Sequence, residues 1–152
     1  MVAGDILKEA LLVVETFTVK ANEDIEKGEL CIDDGAGIIA ATAALAASGK
    51  AVMALEAHDY SEETDHDIKC VVVGYVEAQK VTGSGAARKG DKLMISGTAG
   101  EVTKFVKADA PAAYAEATIQ ANYDLNLGVV GTAIAITLDA TTTQKMLLGV
   151  IG

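Results

Sequence analysis

Both histidines of this chain fall in one polar stretch, AHDYSEETDHD, residues 57–67, beside Asp59, Glu62, Glu63, Asp65 and Asp67. Imidazole nitrogens and carboxylate oxygens at that density could ligate a divalent cation. The order fits no defined calcium loop, because no Gly stands at the bend and the alternating Asp pattern is missing. The stretch reads as a solvated loop, with a metal or partner contact as the alternative. A second stretch, GSGAARKG at 83–90, has the glycines of a phosphate loop. Asp91 follows Lys89 and Gly90 where a hydroxyl is required, and an acid there repels phosphate, so a mobile linker fits better. Nucleophile elbow, HExxH, GxGxxG and a Ser-His-Asp order are all missing, and two histidines in one acidic loop leave little for general acid–base work. The expectation is a protein that is not an enzyme, with no catalytic residue, no metal and no cofactor. Cys31 and Cys70 form no CxxC pair and read as buried thiols.

The elements that would carry these residues are bounded by composition. In 152 residues, 51% are hydrophobic and the mean hydropathy is +0.32, which excludes a disordered chain. Trp is absent, and two Phe and four Tyr leave few aromatic platforms for bases or sugars. Twelve basic against 22 acidic residues give a net charge of −10, a field that repels nucleic acid and keeps an apolar chain soluble. The start has no basic n-region, and the apolar run Ala10 to Val14 is too short to cross a bilayer, so synthesis in a cytoplasm without membrane contact is expected.

The chain says one thing twice. KGELCIDDG at 27–35 returns as KGDKLMISG at 89–97, Gly28 falling on Gly90 at an offset of 62. VVVGYV at 71–76 resembles MLLGVI at 146–151, Gly74 falling on Gly149 at an offset of 75, so the second copy is 13 residues longer. APAAYAEATIQAN at 110–122 has about that length. With Asp109 as N-cap and Pro111 in the first turn it reads as an inserted helix, an Ala-rich loop being the alternative. TFTVK alternates, with Phe17 and Val19 on one face, and AIAITLD does the same with Ile134, Ile136 and Leu138. KCVVVGYV and KMLLGVIG read as buried strands, and DDGAG and SGTAG as strand turns. ATAALAASGKA is either a short helix ending at Gly49 or a strand and loop. The pattern predicts a mainly β protein, a compact Gly/Ala-rich barrel or sandwich of two related modules with one short inserted helix. Residues 1–15 read as an N-terminal arm and 16–152 as a single domain, its modules meeting near residues 82 and 83.

VKANEDIEKGELCIDDGAG (19–37) and KAVMALEAHDY…CVVVGYV (50–76), with their second copies, resemble small phage-type capsid decoration, or cement, proteins. That resemblance implies a structural virion protein, made in the host cytoplasm, that stabilises an assembled shell as a homo-oligomer, a trimer being favoured. Its partners would be the major capsid protein and copies of itself. VKANEDIEKGELC is also similar to the opening of a β-clip domain of the antifreeze-like type, which implies an assembly or ligand-binding role instead. The residues assigned to an interface are Leu11, Leu12, Val13 and Val14 of the arm and His58, Asp59 and His66 of the acidic loop.

Overall fold

The computed structural model describes residues 3–43, 50–107 and 115–149. In chain order the elements are β1 (Ile6–Thr18), β2 (Leu30–Asp33), β3 (Ile38–Ala40), β4 (Val52–Ala54), β5 (Asp67–Gln79), β6 (Lys92–Ile95), β7 (Val102–Lys104), α1 (Glu116–Leu127), β8 (Val129–Ala133) and β9 (Thr143–Leu148). The strands form one antiparallel sheet that curls into a half-barrel. Its order, β3-β2-β4-β5-β9-β8-β6-β7, reads as two matched halves meeting at β5 and β9. The protein is mainly β, with one short helix.

The match extends to single hydrogen bonds. In the first module Ile25 and His58 exchange both backbone bonds, and in the second Ala87 and Thr137 do the same. The Gly28 amide donates to the Ala54 carbonyl, and the Gly90 amide donates to that of Ala133. Both glycines lie at positive φ, +87° and +94°, where a side chain is strained, which is why the turn needs Gly twice. One residue on, Glu29 Oε2 accepts from the Glu26 amide and Asp91 Oδ2 from the Arg88 amide.

Register places the modules differently from the glycine spacing. Thr16 pairs with Lys69, and the matched pair in the other half is Glu77 with Lys145. Phe17 with Ile68 likewise matches Ala78 with Gln144. The shift from β5 to β9 is therefore 76, one more than the distance from Gly74 to Gly149. A strand repeats every two residues, so that one position decides which face a side chain occupies. The second half of β5 also serves the second module as β1 serves the first, so that module begins before residue 83.

Residues 1–15 do not stand apart as an arm where they are described: β1 runs through them from Ile6 and pairs with β5. Between Lys8, opposite Tyr75, and Val13, opposite Val73, four residues face Gly74 alone. This wide bulge removes the alternation by which a strand is recognised in sequence. The helix begins at Glu116, later than the expected span of 110–122, and ends at Leu127. Asp109 and Pro111 lie outside the described residues, as does most of ATAALAASGKA. Asn122, Asp124 and Asn126 are weak helix formers, yet the Gln120 amide donates to Asp124 Oδ1 at 2.7 Å and carries the helix past them. The helix lies between β7 and β8, where the second module has 24 residues (105–128) against 11 (41–51) in the first. AIAITLD is not a strand beyond Ala133. Thr137 turns inward to bond Ala87, which leaves Ile136 and Leu138 outward, 75% and 69% exposed.

One core joins both modules: Leu30, Ile32, Met53 and Val71 pack with Leu93, Ile95, Met146 and Leu148. A smaller cluster, around Val19, Ile25, Cys31, Ile68 and Cys70, belongs to the first module. At its matched positions the second module buries polar groups, Lys80 for Val19 and Gln144 for Ile68. The Lys80 ammonium donates to the carbonyls of Val81 and Asp139. The link at 83–90 is tied to the second module, with the Gly85 amide donating to Asp139 Oδ1 at 2.6 Å.

Candidate interaction surface

Valine and leucine in a strand need cover on at least one face. In β1 the cover is incomplete. Leu11, Val13 and Val14 are 42%, 43% and 38% exposed, and Leu12 packs against the main core. Val13 and Val14 are consecutive, and both are open to solvent. Among the described residues β1 pairs with β5 alone. A strand that combines an unpaired edge with exposed apolar side chains is a surface built for contact, or a hazard if left bare. The sequence singled out these four residues, and the structure sets three of them at the surface.

The acidic loop is exposed from Ser61 to Asp65, and His58, Tyr60 and His66 form a packed cluster within it. His58, 2% exposed, is fixed by its two backbone bonds to Ile25. Its Nδ1 lies 2.9 Å from Glu63 Oε2, and its Nε2 lies 3.1 Å from Nδ1 of His66. A carboxylate can only accept, so His58 Nδ1 carries a proton, and one further proton is shared between the two rings. Tyr60 stacks on His66 with centroids 3.9 Å apart and an 11° interplanar angle. The Tyr60 amide donates to Asp24 Oδ1, which ties the loop back to the turn before β2.

Asp59 Oδ1 accepts from both the amide and the hydroxyl of Ser61, and the hydroxyl bond is the main cause that lowers its carboxyl below the usual range. Among the interface residues expected here, His58 is buried and shapes the loop from within. Asp59 and His66 are partly exposed on it. Among the described residues no three of His, Cys, Asp and Glu converge as a metal-binding group. The two thiols sit in the smaller core. Burial pushes Cys70 up to about 12 and Cys31 well above its ordinary value.

Sequence reasoning missed the outer face of the second module. Glu77, in the strand run VEAQ, is 4% exposed. Its Oε1 accepts from the Thr143 hydroxyl at 2.6 Å, and its Oε2 is buried with no hydrogen-bond partner. A lone acid in a β-strand carries no signal of burial. Its phase opposite Val76 and Ala78, both core residues, was the only hint available.

Comparison with known proteins adds no relationship: no family model, curated protein or solved structure matches the chain.

Proposed function

We propose that this chain is a non-enzymatic structural protein of the capsid decoration type, which binds and stabilises an assembled shell at the virion surface as a homo-oligomer, with a trimer favoured. The observation that carries the reading is β1, whose Leu11, Val13 and Val14 are exposed on a strand paired, among the described residues, to β5 alone. An oligomer that covers this strand, or lays it on several neighbouring shell subunits, gains apolar burial at each copy. Repeated weak contacts then sum to tight binding by effective concentration, with no need of a deep pocket. The net charge of −10 disfavours packaged nucleic acid and favours the outer surface. The resemblance of the doubled turn-and-strand motif to cement proteins supports the same reading.

The test is co-sedimentation with assembled capsid shells, set against the same shell subunits dissociated. Binding to the shell at least about a hundredfold tighter, as multivalency allows, supports the reading. Equal affinity for both forms refutes it.

A further inference from the structure

Residues 135–143 fold over the outer face of β5 and β9 and leave an open pocket of about 220 Å³, lined among others by Glu77, Ile136, Thr137, Leu138, Thr143 and Lys145. Three features give it the chemistry of a binding site. At its base stands a carboxyl group only 4% exposed, with Oε2 unpartnered. A buried acceptor left empty is costly, and most such groups in folded proteins are satisfied, so a donor is called for. At its rim, Ile136 and Leu138 are 75% and 69% exposed. Between them, the Thr143 hydroxyl is already engaged with Oε1, which orients the carboxyl group and leaves Oε2 for something else.

Lys145 is the chain's own candidate for that place, since it faces Glu77 directly across the β5–β9 pair. Its ammonium makes neither a hydrogen bond nor a salt bridge with Oε2. The first module has no such site, because Thr16 stands at the position of Glu77 opposite Lys69.

We propose that this pocket binds an aliphatic primary ammonium group. Its N–H donates to Glu77 Oε2, which is closed to solvent until lining side chains shift, and its methylene chain lies against Ile136 and Leu138. A free alkylamine and a lysine side chain offered by a partner share this chemistry. The inference does not rest on the shell reading, since the probe is tested on the isolated protein.

The experiment is a titration of the full chain followed by backbone amide NMR at constant ionic strength. n-Butylammonium is the probe and 1-butanol the neutral isostere. Saturable shifts centred on Thr137, Leu138 and Thr143, with a millimolar Kd, are expected, and 1-butanol should bind at least about tenfold more weakly. Glu77→Gln should weaken n-butylammonium by about the same factor, and the comparison of ligands on the unmodified protein stands even if that variant does not fold. Parallel arms with putrescine and N-acetyl-lysine methylamide separate the sources. Tighter binding of the lysine derivative points to a partner's side chain, tighter binding of putrescine to a free amine, and either supports the site. Shifts spread over the acidic surface without saturation, equal response to 1-butanol, or binding that emerges only after Lys145→Met would overturn it.

Discussion

Glu29 and Asp91 occupy the same place in two copies of one turn, each accepting a backbone amide three residues before it, and their carboxyl groups are shifted in opposite directions. Burial raises Glu29 above its ordinary value near 4.5. The amide of Arg88 and, next, the ammonium of Lys104 hold Asp91 below its ordinary 3.8. The same local grammar is thus set in two different electrostatic surroundings, one desolvated and one beside a lysine.

The signs separate the two in a pH series. Asp91 contributes stability that is present above pH 3.8 and is lost as pH falls through its lowered folded value. Glu29 does the reverse: its ionisation opposes folding, and that penalty grows as pH rises from 4.5 through its raised value. Asp91→Asn should therefore lower Tm at pH 7 and cease to matter near pH 2. Glu29→Gln, which keeps an acceptor for the Glu26 amide, should raise Tm at pH 7. Thermal melts at both pH values check this, and a lower Tm for Glu29→Gln at neutral pH would count against it.

Gly28 and Gly90 share their positive φ but not their surroundings. A Cβ on Gly28 would meet Ala3 Cβ at 2.6 Å and the Gly4 amide nitrogen at 2.7 Å, whereas one on Gly90 meets nothing within 4 Å. Gly90→Ala should cost about 1 kcal/mol for backbone strain alone. Gly28→Ala adds overpacking, for about 2–3 kcal/mol in all. Urea unfolding of the two variants measures the difference, and equal losses would show that residues 3 and 4 do not press on this turn.

His58 and Thr137 make the same backbone bridge, but only His58 carries a side-chain cluster. His58→Ala removes two side-chain hydrogen bonds and a buried ring, a loss of about 2–4 kcal/mol. Thr137→Ala should cost about 1 kcal/mol or less. Comparable losses at both positions would mean that the loop gains nothing from Glu63, His66 and Tyr60.

The thiols of Cys31 and Cys70 are both raised by burial, Cys70 to about 12, so at pH 8 neither supplies thiolate in the folded chain. An aromatic disulfide reagent should find no thiol in the native protein within minutes and two after unfolding in urea. Rapid native labelling of either would show that the smaller core opens.

What the sequence disclosed was what is local. The paired Lys-Gly-acid turns were legible because the amide at Glu26 or Arg88, the acid three residues on and the intervening glycine make one self-contained motif. The mainly β character and a helix between β7 and β8 were legible as well, from the alternating runs and the 13 extra residues of the second stretch. Long-range facts were hidden. Opposite Gly74, β1 spends four residues, so its alternation breaks and the strand looked like an arm. Gly74 and Gly149 drew the second anchor one residue out of register, because glycine marks a local bend and not a pairing partner. The cluster inside the loop at 57–67 was hidden because the stacking of Tyr60 on His66, and the burial of His58, depend on the Ile25 bridge from a distant segment. Nothing adjacent to Glu77 in the chain announces that residues 135–143 close over it.

The central claim, that the exposed β1 strand lets this protein reinforce an assembled shell, is tested most directly by heating shells until they rupture. Rupture temperature is read by release of an encapsulated dye, for shells alone, with the protein, and with its Val13→Lys, Val14→Lys variant. The account predicts a rise of several degrees with the unmodified protein, about the effect of one or two kcal/mol per contact, and little or none with the variant, provided the variant's own Tm is unchanged. An unaltered rupture temperature with saturating unmodified protein would contradict it.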